Sequence, residues 1–338
     1  MQRSGNGENV QNESNRRLTI LFVLLAACFL SFLISVGKGS LNISMGQVLK
    51  AIFLETDTLN HQVIWNVRLP RTLTAGMVGI CLSLSGAILQ GVLRNPLAAP
   101  NIIGVSAGAG FMAYLVLILF PDWYYLVPGG AFIGALLATL AIYLLAWRQG
   151  AHPMRLVLAG VAISSLLSAG INALMIFYPD RLAGITSFMV GGLAGRTWPH
   201  FNLLWPYATL GIVTAFLFPQ RLNILMLGDE IATGLGLNVE RTRLLFIAIA
   251  SLLAASAVSV AGLLGFVGLI VPHTARLLIG SDYRYLFPAT AVLGAATVVL
   301  CDTVARLLFD PVEIPVGIIM AILGGPFFLY LLREKGVH

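Results

Sequence analysis

Apolar stretches of about 20 residues, the length of helix that crosses a bilayer, recur along the whole 338-residue chain, separated by short connections carrying proline, glycine or charge. Where no water is present, backbone polar groups must be satisfied within each segment, so a chain built this way folds as a helical membrane bundle. Composition agrees. The chain is 58% hydrophobic and only 10% charged, whereas an ordinary soluble domain is about 25% charged. The runs predict spans near 18–36, 71–93, 100–120, 127–147, 156–177, 201–219, 243–261, 263–279, 285–305 and 314–332. The expected fold class is therefore all-α and polytopic, with about ten transmembrane helices. No room remains for a soluble catalytic domain.

Residues 1–17 are polar and carry Arg3, Arg16 and Arg17. They are expected to form a cytoplasmic N-terminal tail, with residues 18–338 as a single transmembrane domain. The run Leu18 to Val36 reads as a retained span, being longer than the apolar core of a signal peptide. With the N-terminus inside, 13 of the 20 Lys and Arg residues flank cytoplasmic segments. The exceptions are Lys38, Lys50, Arg68, Arg71, Arg181, Arg196 and Arg306. This positive-inside bias places both termini in the cytoplasm. The basic residues are scattered singly, so the high pI of about 9.5 reflects topology and implies no nucleic-acid partner. Cys28, Cys81 and Cys301 have no metal or disulfide spacing, and no metal site or cofactor is expected.

Two connections do more than join spans. Ser44 to Phe53 opens with capping-box spacing and has helical apolar periodicity, predicting a surface helix. The loop at about 219–243 contains Gly228-Asp229-Glu230-Ile231-Ala232-Thr233-Gly234-Leu235-Gly236. Asp229 and Glu230 suit the N-terminus of a brief helix, which Gly234 or Gly236 would end. The many glycines within runs predict close helix packing. No phosphate loop, HExxH or nucleophile elbow is present, so the chain is not an enzyme and cannot hydrolyse ATP alone. His273 is the one ionisable side chain expected at depth, and its place after Pro272 suits a role in satisfying backbone groups freed there.

Longer motifs narrow the reading: Arg68-Leu69-Pro70-Arg71-Thr72-Leu73, Arg94-Asn95-Pro96-Leu97-Ala98-Ala99-Pro100, Ile103-Gly104-Val105-Ser106-Ala107-Gly108-Ala109, Leu227-Gly228-Asp229-Glu230, Gly265-Phe266-Val267-Gly268-Leu269-Ile270-Val271-Pro272-His273 and Glu313-Ile314-Pro315-Val316-Gly317. In this order and spacing they resemble the FecCD-type permeases of ABC importers, which serve ferric siderophores, haem and cobalamin. The resemblance implies a cobalamin-permease-like (type II importer) fold in a bacterial cytoplasmic membrane. It implies a second permease chain, identical or paralogous, two ATPase subunits that hold ATP and Mg, and an extracytoplasmic binding protein. A ferric siderophore is the expected cargo. Haem or cobalamin transport by the same family, and an ion-coupled secondary transporter, are the alternatives.

The same resemblance implies three groups of site residues. Gly228, Asp229, Glu230, Ala232, Leu235 and Gly236 match the loop that fits a cleft of the ATPase. Asn95 and Leu97 match a cytoplasmic constriction of the path, and Pro153 and Met154 fall at a second one, where the cobalamin member has small hydroxyl residues instead. Arg68, Arg71 and Arg306 match arginines that receive glutamates from the binding protein. The sparse polar content of the runs suits a weak-binding path, because an importer that held its cargo tightly could not release it.

Overall fold

A computed structural model describes residues 4–39, 46–48, 50, 58–147, 153–181, 188–309 and 312–334. These form helices joined by turns, with no strand element among the described residues. The main helices are α1 (Ser4–Gly37), α2 (Leu69–Val92), α3 (Val105–Leu119), α4 (Val127–Ala146), α5 (Pro153–Phe177) and α6 (Trp198–Leu217). They continue with α7 (Pro219–Met226), α8 (Asp229–Gly234), α9 (Val239–Ala261), α10 (Val267–Ile279), α11 (Tyr283–Leu307) and α12 (Val316–Glu334). Each expected apolar run falls on a helix.

Among the described residues, six helical segments are long and apolar enough to cross a bilayer, or seven if α6 and α7, bent by 60° about Phe218, form one span. Helices α3, α10 and α12 are apolar but shorter. Each begins later than its apolar run, because the backbone first leaves helical geometry. A 3-10 turn over Pro100–Ile103 and Gly104 at φ 71° precede α3, while Gly262 at φ 72° and Phe266 at φ 65° precede α10. Non-helical backbone at membrane depth is tolerated only when other protein groups satisfy it. Here the breaks satisfy one another. The Leu263 amide donates to the Phe188 carbonyl at 2.9 Å, the Gly192 amide to Ala261 at 2.8 Å and the Gly317 amide to Gly191 at 3.0 Å.

Helix α2 is the hub, with 20 of its residues buried, and it packs against α6, α9, α10 and α11. Lipid supplies no hydrophobic drive for helix association, so close van der Waals contact must do so. Glycine makes that approach possible. A Cβ on Gly86 would lie 1.9 Å from the Gly268 carbonyl oxygen, and one on Gly79 would lie 2.2 Å from that of Gly294. Hydroxyls bury their polarity against neighbouring carbonyls: Ser83 Oγ donates to Thr290 at 3.1 Å and Ser85 Oγ to Ala250 at 2.7 Å. The predicted packing role of the glycines within the runs is thus visible at individual atoms.

At the periphery, the span window of α1 is 22% buried and that of α5 only 17%. Helix α1 starts at Ser4, so the polar segment expected as a tail is already helical there. Of the expected surface helix Ser44 to Phe53, residues 46–48 and 50 are described and helical, and Val48 packs with Val36 and Ile64. Its other residues lie outside those described.

The glycine contacts give a direct test. Gly86→Ala should lower the stability of the purified protein in detergent by about 1–3 kcal/mol or more, read as a fall in thermal midpoint. Gly234→Ala, whose Cβ meets nothing within 4 Å, should be neutral or stabilising by under about 1 kcal/mol. Equal midpoints for the two variants would contradict the packing account.

Candidate functional site

Charged side chains gather at the two ends of α2. At 1.5 Å per residue its 24 residues separate these ends by about 36 Å, somewhat more than the hydrocarbon thickness of about 30 Å.

At the N-terminal end, the chain enters α2 through a π-helical turn, Ile64–Arg68. Arg68 Nη1 donates to the Val36 and Gly37 carbonyls, both at 3.0 Å, and so satisfies the last carbonyls of α1, where the helix dipole also favours a cation. Arg306 Nη2 reaches the Ser35 carbonyl at 3.1 Å and its hydroxyl at 3.0 Å. Arg71 forks onto Asp302, with Nε 3.0 Å from Oδ2 and Nη2 2.9 Å from Oδ1, and its Nη1 donates to Glu313 at 2.8 Å. Arg306 Nε lies 3.4 Å from Asp302 Oδ2, an ion-pair distance without hydrogen-bond alignment. The three expected docking arginines are therefore brought together, but by internal partners. Arg68 and Arg71 are 5% and 7% exposed, whereas the Glu313 side chain is 44% exposed.

Arg196 belongs to the same end. Its Nε donates to the Val260 carbonyl at 2.7 Å, and burial, then the charge of Arg71, lower its pKa. Four guanidinium groups thus face two carboxylates among the described residues. Beside Arg196 opens a recess of about 800 Å³ lined by Tyr125, Thr197, His200 and Ser259 together with Leu117, Phe188 and Leu203.

At the other end, the predicted short helix is α8. Gly228 precedes it at φ 110°, which glycine permits. Its end is a Schellman turn: the Leu237 amide donates to Ala232 at 3.0 Å and the Gly236 amide to Thr233 at 2.9 Å, with Gly236 at φ 81°. Gly236, not Gly234, is therefore the stop. Ala232 is fully buried, while Ile231 and Leu235, one helical turn apart, are 56% and 61% exposed, and Leu227, ahead of the Gly228 break, is 55% exposed. Asp229 opens the helix and accepts from Arg243 Nη2 through both oxygens, at 2.9 and 3.0 Å, and from Arg94 Nη2 at 3.2 Å. Nearby, Arg284 and then Asn223 hydrogen bonds hold the Asp282 carboxyl down to about 2.

Of the expected gate residues, Asn95 is exposed and Leu97 half-buried. The Asn95 Oδ1 accepts the Leu97 amide at 2.9 Å, closing a local turn. Met154 is 62% exposed and stands with Pro153 at the first turn of α5. Along α5, Ala162, Ser165, Ala169 and Asn172 fall on one exposed face. His273 is buried on α10 with its ring edge-on to Phe327, 5.8 Å between centroids. It is not the only ionisable group at depth, as the sequence had suggested. Asp302 lies within the apolar run 285–305 and is 1% exposed. The signal was present, since an acid inside a membrane run requires a partner, but that partner, Arg71, stands 231 residues away. Glu313, and the shared hold of Arg94 and Arg243 on Asp229, were likewise not anticipated.

The FecCD transport family model matches residues 24–334. The Fe(3+)-citrate import system permease protein YfmE of Bacillus subtilis is 38% identical over 322 residues, covering 95% of this chain and 96% of the relative. The cobalamin import system permease protein BtuC of Halobacterium salinarum is 41% identical over 277 residues, 82% of this chain and 74% of the relative. A solved structure described as a metal-chelate type ABC transporter in an inward-facing conformation superimposes with a TM-score of 0.85. It shares 33% identity, covering 94% of this chain and 99% of that one.

The arginine network predicts unequal costs. Asp302→Ala leaves Arg71 and Arg306 buried without their shared carboxylate and should destabilise the permease by about 3–5 kcal/mol. Glu313→Gln, at a partly exposed group that keeps its hydrogen-bonding oxygen, should cost under about 1 kcal/mol. Thermal unfolding of both purified variants decides this, and similar losses would refute the assigned hierarchy.

Proposed function

The chain belongs to the FecCD transport family, a membrane permease of the metal-chelate ABC importer type, and from that premise we propose how it works. It is the permease of a ferric-siderophore importer in a bacterial cytoplasmic membrane. It spans that membrane about ten times, with both termini in the cytoplasm, and pairs with a second permease chain around the path. Two ATPase subunits holding ATP and Mg drive it, and an extracytoplasmic binding protein delivers the chelate. The YfmE relative, whose name gives ferric citrate as cargo, favours an iron chelate. The BtuC relative makes cobalamin the second reading.

The observation that carries the proposal is the exposed apolar face of α8. Ile231 and Leu235, with Leu227 just ahead of the Gly228 break, are exposed at the end where Asp229 is anchored, and an exposed apolar cluster rimmed by charge suits a protein partner. The ATPase docks there. At the opposite end the Arg71 network reaches solvent through Glu313, whose side chain is 44% exposed, and so offers a charged contact to a partner. The binding protein approaches that end, steered by charge, with Arg68, Arg71 and Arg306 supplying the field and Glu313 the exchangeable contact. The α5 stripe supports the path. Asn172 and Ser165 facing lipid would leave polar groups unsatisfied, so that face lines water or the second permease. Asn95, Leu97, Pro153 and Met154 close the cytoplasmic end.

Leu235→Asp should reduce ATP-dependent uptake in vesicles more than about tenfold, because a hot-spot apolar contact is replaced by a buried charge, while the permease still purifies as a folded chain. Uptake of ferric hydroxamate, ferric citrate, haem and cobalamin in the same vesicles, with and without ATP, assigns the cargo. Normal uptake by the variant would refute the docking role of α8, and uptake without the ATPase would refute the importer reading.

A further inference from the structure

The chain that leaves α2 turns back through a second Schellman turn, in which the Asn95 amide donates to the Gln90 carbonyl at 3.1 Å and the Arg94 amide to Gly91 at 3.2 Å. The left-handed position of such a turn normally belongs to glycine, as Gly236 shows in α8. Here it holds Arg94, at φ 50°. A long β-carbon residue in that region costs energy that glycine would avoid, and the residue retained there has one use visible in the structure. Its side chain lines an open recess of about 360 Å³ together with Leu227, Gly228, Asp229, Glu230 and Ile231, and its Nη2 lies 3.2 Å from Asp229.

Asp229 is held unequally. Arg243, with a side chain 6% exposed, grips both carboxylate oxygens, whereas Arg94, 38% exposed, makes one longer bond. The carboxylate therefore travels with α8 and the start of α9, and the bond to Arg94 is the one that solvent can replace. Arg94 directly precedes Asn95, whose side chain closes the turn onto Leu97. A single ion pair thus joins the short helix to the turn between α2 and α3.

We propose that Arg94 is a positioning residue that couples the two elements: its bond to Asp229 makes the Asn95–Leu97 turn follow the displacement of α8. This rests on the proposed function, in which α8 receives the ATPase and the turn narrows the path. The bond acts by restraint, so its loss frees the turn without removing any group from the path.

The test uses the full chain in lipid nanodiscs with Leu97→Cys as reporter and a maleimide as probe. Arg94→Gly, which relieves the backbone while deleting the guanidinium, should speed labelling about fivefold. Asp229→Asn should speed it by a similar factor in the parent and have no further effect in the Arg94→Gly background. Arg94→Lys, which keeps the charge, should stay within about twofold of the parent. Unchanged labelling in Arg94→Gly, or effects of the two substitutions that multiply independently, would overturn the coupling. In the complete complex with its ATPase, labelling should differ between nucleotide-free and nucleotide-trapped states, and Arg94→Gly should erase that difference. A difference that persists in Arg94→Gly overturns the proposal. A wild-type complex indifferent to nucleotide, with the nanodisc result intact, contradicts the importer reading and leaves the link between turn and helix standing.

Discussion

Everything else in this fold is arranged around a helix buried on nearly all sides in a solvent that offers apolar groups no reason to associate. For α2 the favourable term must come from dispersion at short range, and that requires backbones almost in contact. Gly79 and Gly86 meet the carbonyls of Gly294 and Gly268 at distances no Cβ could share. Close approach also brings neighbouring carbonyls within reach of Ser83 and Ser85, which removes the cost of burying their hydroxyls. Even Gln90 is accommodated, accepting from Arg276 Nη1 at 3.1 Å. Once α2 is enclosed in this way, its charged flanks have nowhere to go but the two ends.

The interrupted helices follow from the same solvent. A break at membrane depth exposes amides and carbonyls that lipid cannot satisfy, so breaks are affordable only in company. Residues 188–192, 261–264 and 317 exchange hydrogen bonds across three separate parts of the chain. One break alone would be unstable, whereas three together cross-link the 188–192 segment to the junction of α9 and α10 and to the start of α12. This explains why α10, which starts at such a break, is short and yet largely buried.

Much of this was legible in the sequence, and what was not has a common cause. Apolar length marks a span whatever its neighbours, so every expected run lies on a helix. Local chemistry marked α8, because Gly228, Asp229 and Gly236 act within their own turn. Contacts between distant residues leave no such trace. Nothing near Arg71 announces Asp302, and nothing near Asp229 announces Arg94. The late starts of α3, α10 and α12 are likewise absent from the apolar pattern, since Phe266 at positive φ is set by tertiary packing and not by its own preference. The family resemblance groups the arginines by role and carries no sign that Arg68 and Arg306 donate to the end of α1.

The two charged ends differ in a way that decides which of them can move. At the Arg71 end the carboxylate of Asp302 is 1% exposed and held by a bidentate fork. Separating such a pair strands a buried charge, at a cost of about 3–5 kcal/mol, comparable with much of the stability of a domain. At the Asp229 end the Arg94 pair is about two-fifths exposed on both sides, and water can substitute for either partner at a cost of at most about 1 kcal/mol. A conformational cycle run repeatedly must break contacts whose rupture is cheap and spare those whose rupture unfolds the protein. Of the two networks, the pair at Arg94 is therefore the one whose partners separate at low cost, while the Arg71 network ties together α1, α2, α11 and the approach to α12.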